Sequence, residues 1–179
     1  MSKVVIISGS LRKDSFNTKL ANSIKNILET EYKDSVSEVK ILDINFPLFN
    51  QDLESEMPSE VLNFKSYIES AEQIIFCTPE YNRSIPGVLK NAIDWASRPA
   101  GENSWVGKKV LTCGVSSGRL GTVSAQNELK KILNYFDCKV VGQPEIYIGP
   151  AEEMFDKAQN DFNVKTLEVV KKGLEKLLN

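Results

Sequence analysis

The stretch Val4-Val5-Ile6-Ile7-Ser8-Gly9-Ser10-Leu11-Arg12-Lys13-Asp14-Ser15-Phe16-Asn17 decides how this chain folds. Its first part is an unbroken apolar run rich in β-branched residues, the pattern of a strand covered on both faces in a parallel sheet. Its second part is a polar loop that runs straight into an apolar stripe at helical spacing, Leu20, Ile24, Ile27 and Leu28. A buried strand, a hydroxyl-bearing loop and an amphipathic helix in direct succession open an α/β unit.

The same alternation repeats outward from this unit. Gln73 to Thr78 and Lys109 to Val115 are further apolar runs, and Val39 to Asp43 and Glu145 to Ile148 are shorter strand candidates. Between them lie helical stripes: Val61, Phe64 and Ile68, with Pro58 as first helical residue, and Leu129, Ile132, Leu133 and Phe136. The spacing of Phe155, Ala158, Phe162, Leu167, Val170, Leu174 and Leu177 predicts one long final helix, with Asp161/Lys165 and Glu168/Lys172 as exposed i,i+4 pairs. Five strands alternating with five helices predict a doubly wound α/β sandwich on a five-stranded sheet. Ile44 to Pro58 is polar and proline-bounded, a surface loop rather than a boundary, so residues 1–179 are expected to form a single domain.

Composition narrows the chemistry. The chain has 179 residues, a formal net charge of −2 and no histidine. A Ser-His-Asp triad, a His-paired cysteine, an HExxH zinc site and any imidazole metal ligand are thereby excluded. Near-even charge advertises neither nucleic acid nor an anionic membrane, so small molecules are the expected partners. Cys77, Cys113 and Cys138 show no CxxC spacing and read as core residues of a reduced compartment. The apolar run at the start is too short for a signal peptide, and no stretch is long enough for a transmembrane helix. A cytoplasmic protein is expected.

In open α/β sheets, ligands bind beyond the carboxyl ends of the strands, so three strand-to-helix loops matter most. The first, Gly9 to Asn17, lacks the Walker A ending and the three glycines of a dinucleotide fingerprint. It offers the Ser10 and Ser15 hydroxyls, the Asn17 amide and the Arg12 guanidinium beside a helix N-terminus, which suits a phosphate monoester; an ordinary cap with Asp14 or Ser15 explains the same residues. The second, Thr78-Pro79-Glu80-Tyr81-Asn82-Arg83-Ser84-Ile85-Pro86-Gly87, is stiffened by prolines and carries an aromatic ring for a planar ligand, though it also reads as a structural turn. The third, Val115-Ser116-Ser117-Gly118-Arg119-Leu120-Gly121-Thr122, is rich in small residues that permit close backbone approach.

Pro79 to Trp95, read as PEYNRSIPGVLKNAIDW, resembles the PEYNxSxPGxLKNAIDW signature of the NADPH-dependent FMN reductases, a family that includes quinone, chromate and azo-dye reductases. Independently, GSLRKDSFN resembles that family's GSxRxxSxN phosphate loop. The resemblance spans nearly the whole chain. It implies a flavodoxin-like three-layer sandwich with parallel strand order 2-1-3-4-5, bound FMN, and hydride transfer from NADPH or NADH to an acceptor such as a quinone, free flavin, azo compound or chromate. Carried over by position, it implies that Ser10, Arg12, Ser15 and Asn17 hold the FMN phosphate with Leu11 and Phe16 close by. Pro79, Glu80, Tyr81 and Asn82 would then line the isoalloxazine, and Ser116, Ser117, Gly118 and Arg119 would complete its pyrimidine side. It further implies a homodimer, often doubled to a homotetramer, formed in part by the LKNAIDW helix. The match is weaker after Ser116: a glycine pair is reduced to Gly121-Thr122, and Ser124 stands where members often carry a basic residue.

No residue is assigned as a chemical catalyst and no metal is expected, because the flavin accepts the hydride itself. One rival is a flavodoxin-type electron carrier, against which Arg12-Lys13 in the phosphate loop and the small net charge both count. Another is a flavin-free nucleotide-binding domain using Asp14, Glu80 or Asp94, but these carboxylates have no paired spacing. Trp95 and Trp105 are expected at an interface and in a rim loop, with packing as the main role of each and stacking of Trp105 on the flavin as the alternative.

Overall fold

The computed structural model describes residues 1–179. Its elements are β1 (Ser2–Ser8), α1 (Phe16–Glu31), β2 (Val36–Leu42), α2 (Ser59–Ser70), β3 (Gln73–Cys77), α3 (Gly87–Ala96), β4 (Lys109–Val115), α4 (Val123–Tyr135), β5 (Lys139–Val140), β6 (Ile146–Ile148), α5 (Ala151–Met154), β7 (Phe155–Asp156), β8 (Asp161–Phe162) and α6 (Val164–Leu178). The main sheet runs in the order β2-β1-β3-β4-β5, all parallel, with β6 also pairing with β4. This is the flavodoxin-like order.

The continuous apolar runs follow from helices on both faces. Along β1, Val4 and Ile6 enter one core with α1 and α6, while Val5 and Ile7 enter the other with α2, α3 and α4. Both faces of a central strand lose water, so no alternation of polar residues survives in its sequence. The helices keep their polar faces outward and contribute residues such as Leu20, Ile24 and Leu28 on one side and Leu129 and Leu133 on the other.

Several expectations are corrected. The fifth strand position is split: β5 pairs with the start of β4 and β6 with its end. Pro144 lies between them and has no N–H to give to the ladder. The last helix is also shorter than its apolar spacing predicts. Phe155 and Phe162 face each other across the antiparallel β7-β8 pair, ring centroids 5.2 Å apart. Asp156 turns that hairpin by accepting from the Ala158 and Gln159 N–H groups. Asn163 then caps α6 through Thr166 N–H. Asp161 therefore bonds Ser23 rather than Lys165, and Lys171, not Lys172, makes an ion pair, with Glu31 at 2.7 Å. Pro58 sits one position outside α2 instead of opening it.

Both tryptophans are core residues of this chain. Trp95 Nε1 donates to Pro47 O at 2.8 Å, which pins the loop after β2 onto α3 together with the buried Asn91. Trp105 is fully buried and packs against Phe64 and Phe76, and its Nε1 donates to Ile93 O at 3.0 Å. It is neither a rim residue nor free to stack on a ligand. The segment before it is held by buried Lys65, whose ammonium donates to Glu102 O at 2.9 Å and Ser104 Oγ at 2.8 Å. Burial pushes that ammonium's pKa down, partly offset by Glu69.

Trp105→Ala is expected to cost about 3–5 kcal/mol through lost burial and the cavity it leaves. Trp105→Phe should cost less, mainly the indole hydrogen bond to Ile93 O, an oxygen that still accepts from Ser97 N, at about 0.5–1.5 kcal/mol. Urea unfolding of both variants checks the order, and equal losses would contradict it.

Candidate functional site

Parallel register puts the ends of the three central strands level. Ser8 pairs with Cys77, and Cys77 with Cys113, so the loops after β1, β3 and β4 leave the sheet side by side. Gly9 N donates to Cys77 O and Thr78 N to Cys113 O, both at 2.9 Å, which extends the ladder one residue into the loops. The packing there leaves no room for a side chain at Gly114 and little at Gly9. A Cβ on Gly114 would stand 2.1 Å from Thr78 O, and one on Gly9 3.1 Å from Leu89 Cδ2.

In the first loop, Ser15 is the N-cap of α1 and accepts from Asn17 N at 3.2 Å, so Asp14 is not the cap. Ser10 Oγ accepts from Arg12 N at 3.2 Å, and Ser15 N donates to Arg12 O at 3.1 Å. The N–H groups of Ser10, Leu11, Lys13, Asp14 and Phe16 have no partner in the chain. Arg12 and Lys13 are exposed, with no carboxylate within ion-pair distance. Leu11 is exposed, and Phe16 packs edge-on against Phe155 with centroids 5.5 Å apart. Asn17 is placed differently from its neighbours: its Nδ2 donates to Val115 O and its Oδ1 accepts from Val115 N, both at 2.9 Å. The buried amide therefore ties the first loop to the third, and its second Nδ2–H has no partner in the chain.

In the second loop, Tyr81 and Ser84 exchange N–H···O bonds at 2.9 and 3.0 Å around Asn82 and Arg83, whose φ values are 52° and 67°. Positive φ at both central residues makes a type I′ turn. Tyr81 is 51% exposed, and the Glu80 and Asn82 N–H groups are unpartnered. Pro79 is half-buried against Gly9. The Glu80 carboxylate is committed to α4, where it accepts from Ser124 N at 2.9 Å and Ala125 N at 3.2 Å. Asp94 pairs with Lys90 at 2.7 Å and takes no part in the site.

The third loop is fastened to the strand beyond it. Ser116 N donates to Ile148 O at 3.0 Å, Ala151 N to Ser116 O at 2.9 Å, and Gly121 N to Gly118 O at 3.2 Å. Gly121 adopts φ +60°, and a Cβ there would lie 2.8 Å from the Tyr147 carbonyl carbon. Ser117, Gly118, Arg119 and Leu120 are exposed, and the Ser117 and Arg119 N–H groups are free. Buried Gln126 braces the loop by accepting from Thr112 Oγ1 and donating to Ile146 O, each at 3.0 Å. The sequence pointed to the loops but gave no sign of this brace.

The edge thus presents an open helix N-terminus with an unpaired guanidinium and two hydroxyls, beside a half-exposed aromatic ring and a row of free backbone donors. A phosphate monoester joined to a planar heterocycle fits those features. Such an arrangement on this sheet defines a flavin-binding oxidoreductase of flavodoxin-like fold.

Comparison with known proteins agrees. The family model of the NADPH-dependent FMN reductases matches residues 2–153, and the chain belongs to that family. It is 38% identical over 174 residues to a 2-hydroxy-1,4-benzoquinone reductase from a Burkholderia species, covering 97% of this chain and 93% of the relative. It is 36% identical over 176 residues to an NAD(P)H-dependent FMN reductase from Pseudomonas aeruginosa, covering 98% and 92%. Among solved structures it resembles FerB, a flavoenzyme NAD(P)H:(acceptor) oxidoreductase from Paracoccus denitrificans, with a TM-score of 0.88, 36% identity and coverage of 99% and 96%. The chain is an FMN-dependent NAD(P)H oxidoreductase, and the electron-carrier alternative falls away. No helix is long and apolar enough to cross a membrane.

Asn17→Ala should leave both backbone groups of Val115 unpartnered, at roughly 1–3 kcal/mol for a buried polar group. The Val115 amide should then exchange its hydrogen faster than in the parent protein, and unchanged protection would show that Asn17 does not hold the two loops together.

Proposed function

We propose that this oxidoreductase reduces quinones, with electrons from NADPH or NADH, at the carboxyl edge of its sheet. The observation that carries the reading is the pairing of the open α1 N-terminus and unpaired Arg12 with the exposed Tyr81 ring one strand away. The names of the relatives support quinones as acceptors. Free flavin, azo compounds and chromate are further acceptors that the same open edge admits.

FMN, when bound, supplies the redox chemistry by accepting a hydride from the nicotinamide and passing reducing equivalents to the acceptor. The chain's work is binding and orientation. Ser10, Leu11, Arg12, Ser15 and Phe16 would surround the phosphate: free N–H groups and the helix dipole attract it, and the Arg12 guanidinium balances its charge. Asn17 would hold the first loop through Val115 and keep its second Nδ2–H for the phosphate. Pro79, Glu80, Tyr81 and Asn82 would line the ring, Glu80 and Asn82 by their backbone donors. Ser116, Ser117, Gly118 and Arg119 would bound the other side, where free N–H groups favour developing negative charge.

We also propose a homodimer, and by doubling a homotetramer. A groove of about 850 Å³ between α3 and α4 supports it, lined by Phe49, Ile132 and Tyr135, the last 84% exposed. A cytoplasmic location is in keeping with three free cysteines.

Purified protein mixed with FMN and freed of excess should be yellow, bleach with anaerobic NADPH or NADH, and regain its colour on adding a quinone. Protein that stays colourless after FMN addition would refute the reading. Arg12→Ala should weaken FMN binding about 10–100-fold, the worth of a charge-assisted hydrogen bond to phosphate. Fluorescence titration checks it, and an unchanged Kd would remove Arg12 from the site.

A further inference from the structure

Helix α4 begins without a cap of its own. Thr122 occupies the N-cap position but makes no capping bond, and the first turn contains no acidic residue. The Thr122 hydroxyl oxygen accepts instead from Gln126 Nε2 at 2.9 Å. Two of the orphan N–H groups that every helix start leaves, Ser124 and Ala125, are satisfied by Glu80 Oε2 at 2.9 and 3.2 Å. The second carboxylate oxygen lies 3.5 Å from Arg83 Nη1. The Glu80 side chain is only 12% exposed.

The cap is thus borrowed from another loop, 44 residues earlier in the chain. The type I′ turn that follows Glu80 is tied to α4 a second time, because the Ser84 hydroxyl bonds the Glu128 carboxylate. Tyr81 lies between these two ties, with its ring half exposed. An acid in the first turn of α4 would complement the helix dipole more simply. Drawing the carboxylate from the second loop makes the helix cap and the spacing of two loops one and the same interaction.

We propose that Glu80 is a positioning residue of the FMN site: its carboxylate clasps the second loop to the start of α4 and fixes the Tyr81 turn relative to the third loop before cofactor binds. The inference rests on the assignment of this edge as the FMN site. A clasp of this kind spares the cofactor the cost of ordering the loops, so its loss appears as weaker binding. A cap alone would appear only as lower stability.

Three forms of the full chain, each freed of flavin, separate these roles: the parent, Glu80→Ala, and Glu80→Ala with Ser124→Asp. The double variant returns negative charge to the α4 N-terminus without reconnecting the loops. FMN is titrated by quenching of its fluorescence, and Tm is read without ligand. Glu80→Ala is expected to raise the FMN Kd about tenfold and lower Tm by about 2–4 °C, the shift for roughly one kcal/mol in a chain of this size. The double variant should recover Tm but keep the raised Kd. An unchanged Kd in Glu80→Ala, or a double variant that recovers both, overturns the proposal and leaves Glu80 a helix cap. If Glu80→Ala does not fold, the double variant alone decides: a raised Kd supports the clasp and a parental Kd overturns it. Parent protein that fails to quench FMN overturns the FMN reading as well, whereas failure of the clasp alone leaves parental binding intact.

Discussion

Close approach of three parallel strands at their carboxyl ends is the constraint on which the site depends. Ser8, Cys77 and Cys113 stand in register, and the ladder continues one step further through Gly9 and Thr78. Beside that step the backbone of Gly114 is too near Thr78 for a side chain of its own. The space a Cβ on Gly114 would need is taken by Thr78 O and the Thr122 hydroxyl. The three loops consequently start from one rigid line, and what each presents to solvent is set by the few residues that follow.

Those residues divide into two kinds. Some spend their polar atoms inward: Asn17 on Val115, Glu80 on α4, and Gln126 on Thr112, Thr122 and Ile146. Others keep their donors free, notably the N–H groups of Ser10, Leu11, Asn82, Ser117 and Arg119. The inward set makes the outward set useful, because donors on a slack loop would have to be ordered by each ligand they bind. Interior polar atoms that are fully satisfied also hold one arrangement against its alternatives.

Much of this was legible from local pattern. The β1-loop-α1 unit and the three central strands rest on signals within a dozen residues of each other, where apolar runs and helical stripes speak directly, whereas the order of the sheet was implied only by the family resemblance. The failures have a common cause. Phe155, Ala158 and Phe162 keep helical spacing by coincidence, and strands two residues long are too short to show alternation. The interrupted edge strand turns on one residue, Pro144, whose effect on the ladder shows only in the structure. In the site, the residue types of Ser10, Arg12 and Tyr81 were readable, but the partners of Asn17 and Glu80 lie 98 and 44 positions away. Periodicity carries no information about such pairs.

The same inward bonds support the proposed place of the phosphate at one helix rather than at its neighbours. The helices that follow the three central strands, α1, α3 and α4, point their N-termini toward this edge, and each is in principle an anion site. At α4 the place is filled by the chain's own Glu80 carboxylate. At α3 the preceding residue is Pro86, which offers neither a side-chain donor nor a charge. Only α1 combines free N–H groups with a cation, Arg12, and with the hydroxyls of Ser10 and Ser15. A dianion left without compensating charge would be costly to desolvate. The borrowed cap on α4 therefore does two things at once: it completes a helix that cannot cap itself, and it closes a competing anion site to the phosphate.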